Sequence, residues 1–383
     1  MEGTSIIEIN KLKYFENLQF VRSKIHKGVR ISSVVKSNAY GHGIGQIVPL
    51  AEEAGIDHFS VFCGREAKLV YKVKRNPDTD IMVMGWLTSP GMKWAIEKGV
   101  EFFVFEYSVL KETLKNAKKL KKKAKIHIEI ETGLNRTGFD INDLNKVFKL
   151  INDNKNNFLV KGIATHYSGS ESIANHVRVR RQTKKFNKIY QLFLKNNIQP
   201  EYRHIACSAA LINYPESQMD MVRIGIIQYG FWPSIETFIG YIQQRTDKTD
   251  PLKRILTWKT KVMSVKKVKM GEFISYGSSY LAQENKTIAV IPIGYSQGFG
   301  RNLSNFGKVI VGGELVKVIG LVNMNMLIID VTSLSSVKRG DEVVLIGKQG
   351  ISEISVSSFS DMSDMLNYES LTRLPKNIKR KVV

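Results

Sequence analysis

From about residue 10 to residue 240, short β-branched and aromatic runs alternate with longer segments whose apolar side chains recur at helical spacing. The short runs are 31–35, 58–62, 81–85, 102–105, 125–130, 160–166, 202–206 and 221–224, and each reads as a strand. The segments between them, such as 91–98 and 175–195, read as amphipathic helices. Eight βα units within about 230 residues is the arithmetic of a closed (β/α)8 barrel. A doubly wound sheet would carry a glycine-rich dinucleotide turn, and the sequence has none.

The pattern changes after Gly240. A polar stretch, Thr246 to Pro251, precedes alternating strands with glycine turns at 256–268, 287–293, 308–311, 314–319, 326–331 and 342–346. These predict a mainly antiparallel β domain, closed by a short helix over 351–366. The N-terminal run 5–9 alternates like a strand and can pair with that second domain. The predicted organisation is α/β. A TIM-like barrel spans 10–240, and a β domain spans 241–383 with residues 1–9 added.

Composition excludes several classes. Hydrophobic residues at 43% and charged residues at 24% are ordinary for a globular chain. The two cysteines, Cys63 and Cys207, have no metal-ligand spacing, so neither a disulfide framework nor a metal site is expected. No run reaches membrane-span length, the start lacks a signal-peptide pattern, and a reducing cytoplasm is the expected compartment. The net charge of +22 lies largely in runs such as 111–125, which read as a solvated helix face. No aromatic-interleaved basic stripe points to nucleic acid.

The most telling string is Ile31-Ser-Ser-Val-Val-Lys36-Ser-Asn-Ala-Tyr40-Gly-His42-Gly43. It places a lysine at the end of an apolar strand, where burial disfavours the ammonium and leaves a nucleophilic amine. Tyr40 and His42 follow as polar groups, and Gly41 and Gly43 allow a sharp turn.

This string resembles the pyridoxal-phosphate attachment motif of the alanine racemase family, departing at Ser37, where the family usually has alanine. The resemblance implies pyridoxal 5'-phosphate as cofactor, Lys36 as the Schiff-base lysine and Tyr40 as a phosphate ligand. A barrel followed by an all-β domain is also the architecture of that fold-type III family. By the same resemblance His166 packs against the cofactor ring, and Ser208, Gly225 and Ile226 cradle the phosphate. Arg223 faces the pyridine nitrogen. An arginine cannot give up its proton, so that nitrogen would stay unprotonated, a state suited to simple removal and return of an α-proton.

The Ser275-Tyr276-Gly277 core resembles the family's catalytic tyrosine motif. It implies Tyr276 as the second base, opposite Lys36, reaching the site of a second copy in a homodimer. Tyr368 matches a further phosphate ligand, Tyr295 an entrance residue, and Met324 a backbone contact to the substrate carboxylate. The loop Glu131-Thr-Gly-Leu-Asn-Arg136-Thr-Gly138 resembles a family loop whose arginine orients the substrate. The implied activity is interconversion of L- and D-alanine for peptidoglycan. A broader amino-acid racemase or a decarboxylase of the same fold is the alternative.

Two places depart from the family. Glu129 stands where many members have a carbamylated lysine, and its carboxylate offers a fixed anion for Arg136. Leu321 and Asn325, flanking Asn323, replace an arginine and an aspartate near the entrance and bear on side-chain specificity.

Overall fold

The structure, a computed structural model, describes residues 3–243, 245–357 and 367–383. Its strands in chain order are β1 (Ser5–Ile9), β2 (Arg30–Val34), β3 (His58–Val61), β4 (Asp80–Val83), β5 (Glu101–Val104), β6 (Ala124–Glu129), β7 (Phe158–Ala164), β8 (Tyr202–His204) and β9 (Met221–Ile224). There follow β10 (Leu256–Lys261), β11 (Ser264–Val268), β12 (Lys286–Ile291), β13 (Lys308–Val311), β14 (Glu314–Lys317), β15 (Leu327–Asp330), β16 (Glu342–Gln349), β17 (Ser352–Ile354) and β18 (Lys379–Val382). The chain divides into two compact units. One comprises Leu12–Ala39 and Ile47–Arg254; the other comprises Met1–Lys11, Tyr40–Gln46 and Ile255–Val383.

The first unit is the parallel barrel. Its sheet runs β8-β7-β6-β5-β4-β3-β2-β9, all neighbours parallel, with Ile31 opposite Val222 and Phe59 opposite Ile81. The ends of that path meet through the parallel bridge between Cys207 and Arg223. All eight expected strands are present, with bounds shifted by a few residues. The connecting helices show their sequence logic. His176–Lys195 buries Val179, Gln182, Phe186, Ile189 and Phe193, a spacing of three and four that forms one stripe. Each large apolar side chain buried there contributes about 1.5–3 kcal/mol. Tyr107–Leu120 buries Leu110, Thr113, Asn116 and Ala117 and leaves Lys111, Lys115, Lys118 and Lys119 in water, the solvated face expected of the lysine run.

The second unit carries a sheet of order β14-β13-β16-β10-β1-β18, with β17 paired to β16, and a three-stranded sheet β11-β12-β15. The N-terminal β1 lies between antiparallel β10 and parallel β18, so the first and last strands of the chain are neighbours. The indole of Trp258 on β10 is fully buried in this core.

Two readings need correction. The run 256–268 is two strands rather than one, because at Val262 and Met263 the chain passes from one sheet to the other. The helix expected over 351–366 is instead strand β17 at its start, where Ser352 pairs with Gln349. That hairpin satisfies the backbone through a neighbouring strand, which local propensity cannot register. Val356 and Ser357 are helical as expected, and the remainder of that helix, 358–366, lies outside the described residues.

Candidate active site

Strand β2 ends at Val34, and the backbone then does something L-residues avoid. Ser37, Asn38, Ala39 and Tyr40 all have φ between 52° and 55°. A left-handed turn costs about 1–2 kcal/mol per non-glycine residue, and such strain persists only where surroundings hold it. Part of the hold comes from Glu66, in the first turn of helix Gly64–Val73. One of its carboxylate oxygens accepts the Ser37 N–H at 2.7 Å, and the other accepts the Phe62 N–H at 3.0 Å. The turn therefore begins at Ser37, ahead of the glycines to which the sequence assigned it. Lys36 stands at its head. Burial, then the positive charges of Arg136 and Arg223, hold its amine below the usual lysine range; Glu66 and Cys207 pull weakly the other way.

Arg223 on β9 is buried. Its Nη1 donates to the His204 carbonyl at 2.7 Å and approaches His204 Nδ1 at 2.5 Å, and its Nη2 donates to the Thr165 carbonyl at 2.7 Å. These bonds engage the two terminal nitrogens and leave Nε–H as the donor for a ligand. His166 lies two residues past the end of β7. Burial, then Arg223, Arg136 and Lys36, push its imidazole down to about 3, so it is neutral at physiological pH. The structure thus brings Lys36, Arg136, His166 and Arg223 into one electrostatic cluster.

Arg136 sits on a loop built by Glu131. That carboxylate accepts backbone N–H groups from Gly133, from Asn135 at 2.8 Å and from Arg136 at 3.4 Å. Gly138 closes the loop at φ 117°, where a Cβ would lie 2.7 Å from the Glu131 nitrogen. Glu129 is buried. Burial raises its carboxyl above the ordinary value, while a hydrogen bond with Thr137 and the charges of Arg136 and Arg223 act to lower it. Its side-chain bond is thus with Thr137, and Arg136 acts on it through the field. Ser208 opens the short helix Ser208–Asn213, and its hydroxyl oxygen accepts the Gly225 N–H at 2.9 Å. The two expected phosphate contacts are therefore joined, with Ile226 beginning the next turn.

The remaining expected residues lie in the second unit. The Tyr40 and Tyr368 rings are 6.0 Å apart, so the two tyrosines matched to phosphate ligands are neighbours. Gly41 beside them has φ +83°, and a Cβ there would lie 2.0 Å from the Leu371 carbonyl oxygen. Tyr276 is 71% exposed at the head of a turn whose Ser275, Gly277 and Ser278 all have positive φ. Ser275 Oγ donates to the Leu321 carbonyl at 2.9 Å, and Asn325 Nδ2 donates to Ser296 Oγ at 2.8 Å. The Met324 carbonyl accepts from the Ser296 N–H at 3.0 Å and from its hydroxyl at 2.8 Å.

Sequence reasoning missed Glu66, His204 and Thr165. An acidic residue in a helix's first turn, just past a strand, is a faint signal for Glu66. His204 and Thr165 act through strands adjacent only in the closed barrel.

The donor set fits pyridoxal 5'-phosphate. It offers a half-buried amine, cations that attract an anion, a neutral imidazole in the same cluster and a guanidinium Nε–H able to donate to a pyridine nitrogen. A parallel barrel with such a lysine, joined in one chain to an antiparallel β unit, is the architecture expected of a pyridoxal-phosphate enzyme of the barrel type. Residues 9–233 match the family described as alanine racemase, N-terminal domain, and residues 255–382 match alanine racemase, C-terminal domain. Alanine racemase 1 of Caldanaerobacter subterraneus is 32% identical over 95% of this chain and 91% of its own length. The alanine racemase structure from Bacillus anthracis with bound L-Ala-P superposes with a TM-score of 0.90 at 28% identity, covering 100% of this chain and 96% of that one. The alanine racemase from Bartonella henselae with covalently bound pyridoxal phosphate gives 0.83 at 25% identity, covering 100% of both chains. The chain belongs to the alanine racemase family. Membership carries pyridoxal-phosphate-dependent racemisation of alanine as its activity.

Proposed function

We propose that this chain interconverts L- and D-alanine with two bases, Lys36 and Tyr276, acting on opposite faces of the α-carbon. The observation that carries the reading is the half-buried Lys36 amine, held below its ordinary range beside Arg136 and Arg223. Pyridoxal phosphate bound here would supply the electron sink that acidifies the α-proton of an amino-acid substrate. The Lys36 amine would hold that cofactor and take or return a proton at one face. The Tyr276 hydroxyl does so at the other face. Arg223 remains a donor to the ring nitrogen, His166 packs on the ring, and Arg136 orients the substrate carboxylate with the Met324 backbone. Tyr40, Tyr368, Ser208, Gly225 and Ile226 hold the phosphate, and Glu129 supplies a fixed negative field to Arg136.

The working form is a homodimer with shared sites. Tyr276 at 71% exposure stands in the same unit as Phe273 and Phe306, which are 58% and 73% exposed. Large apolar side chains left in water suit an interface with a second copy. Both cysteines are free thiols, which suits the cytoplasm. D-Alanine for peptidoglycan is the product. Chiral chromatography of an L-amino-acid panel after incubation with the cofactor-loaded protein tests the reading. Alanine should invert fastest, and no inversion of alanine would overturn it.

A further inference from the structure

Arg223 is one end of a buried hydrogen-bond chain for which the reaction above has no use. Beyond the 2.5 Å contact from its Nη1 to His204 Nδ1, His204 Nε2 lies 2.8 Å from His127 Nδ1. His127 Nε2 lies 2.8 Å from Glu101 Oε2. A second chain ends on the same oxygen. The Ser60 and Ser32 hydroxyls touch, Ser32 Oγ lies 2.8 Å from His58 Nδ1, and His58 Nε2 lies 3.2 Å from Glu101 Oε2. Glu101 and the three imidazoles are wholly buried. They come from β3, β5, β6 and β8.

The two ends allow only one arrangement of protons. A guanidinium can only donate, so His204 Nδ1 must accept. Neutral His204 then carries its proton on Nε2 and donates it to His127 Nδ1. His127 in turn is protonated on Nε2 and donates to the carboxylate. An imidazolium at His127 would donate from both nitrogens and leave His204 without a proton, as an imidazolate. An imidazolium at His204 would turn an N–H against the guanidinium. Electrostatics agree. Burial, then Arg223, hold His204 well below the ordinary histidine value, and burial lowers His127. Burial pushes Glu101 up, but hydrogen bonds from His127 and His58 outweigh it and keep the carboxylate ionised.

We propose that Glu101 is a positioning residue for Arg223: as the acceptor terminus, it locks His127 and His204 as Nε2–H tautomers, so that His204 always offers its Nδ1 lone pair to the guanidinium. The consequence for the reaction rests on Arg223 facing the cofactor ring nitrogen. A buried carboxylate that sets a histidine's tautomer, and thereby the group beyond it, is an established kind of device. Here it works through two rings.

The other Glu101 oxygen faces Lys161 Nζ at 3.8 Å, which makes Glu101→Gln informative. A glutamine would turn its carbonyl toward that ammonium and its NH2 toward His58 and His127. His127 would then accept at Nε2 and donate from Nδ1, and His204 Nδ1–H would meet the Arg223 N–H head-on.

The test is imidazole 15N–1H NMR of the full-length protein labelled at its seven histidines. His127 and His204 should appear as Nε2–H tautomers that do not titrate across the neutral range. An Nδ1–H or an imidazolium at His127 or His204 would overturn the proposal. In Glu101→Gln, both rings should switch to Nδ1–H and the absorbance of bound pyridoxal phosphate should shift. kcat should then fall by about 10- to 100-fold, as for other outer-shell partners, with KM little changed. Wild-type tautomers and spectrum in that variant would also overturn it. Should Glu101→Gln not fold, the wild-type spectrum decides. The expected tautomers in a protein without racemase activity would support the relay and overturn the reading of Arg223.

Discussion

Gly41→Ala, compared with Gly271→Ala, separates backbone strain from steric exclusion at the phosphate end of the site. Both glycines belong to the same unit and have nearly the same φ, +83° and +85°. A Cβ at 271 would meet nothing within 4 Å, so alanine there costs only the left-handed conformation, about 1–2 kcal/mol. A Cβ at 41 would lie 2.0 Å from the Leu371 oxygen and 2.9 Å from its carbonyl carbon, closer than real Cβ contacts occur. Both atoms are backbone, so no side-chain rotation relieves the clash. The chain must shift by about 1 Å, which adds about 1–3 kcal/mol of overpacking cost. Gly41→Ala should therefore lose about 2–5 kcal/mol. The shift also moves Tyr40, the preceding residue, and retention of pyridoxal 5'-phosphate should weaken in this variant and not in Gly271→Ala. Urea unfolding gives the stability difference, and equilibrium dialysis against the cofactor gives its retention. Equal stability of the two variants within about 0.5 kcal/mol, the usual error of additive comparisons, would refute the argument.

Lys36→Ala should abolish covalent retention of pyridoxal, read as loss of borohydride-fixed label; undiminished label would remove Lys36 from its role. Tyr276→Phe should slow alanine racemisation in both directions by roughly 10²–10⁴-fold, and near-normal rates both ways would remove Tyr276 as a base. Mixing inactive Lys36→Ala and Tyr276→Phe proteins under conditions of proven subunit exchange should restore part of the activity, because one hybrid site then holds both intact bases. No recovery would place both bases on one chain. Glu129→Gln should lower activity without lowering stability. The folded Glu129 carboxyl titrates above its ordinary 4.5, so the stability it contributes is present below that value and is lost as pH rises through the raised one. Above the raised value the wild type bears that loss and the glutamine variant does not. Urea midpoints at neutral pH test the sign, and activity in both proteins should ignore added bicarbonate.

Much of this protein was legible in its sequence, and for a local reason. Barrel strands such as 31–35 and 221–224 are short β-branched runs between helical segments, and their hydrophobic period needs no knowledge of what they pack against. Lys36, Tyr40 and Tyr276 sit in short strings that a local motif is enough to single out. Tertiary structure alone decided the rest. Strand β17 forms because Gln349 and its neighbours offer it a partner. The left-handed turn after Lys36 is held in part by Glu66, about thirty residues on, a carboxylate that no local pattern ties to it. The tautomers of His127 and His204 follow from Arg223 and Glu101, which meet only through the barrel's strands. A sequence records which groups can donate and accept. Which donor faces which acceptor is set by the closure of the sheet, and in a buried chain of hydrogen bonds that direction is what matters.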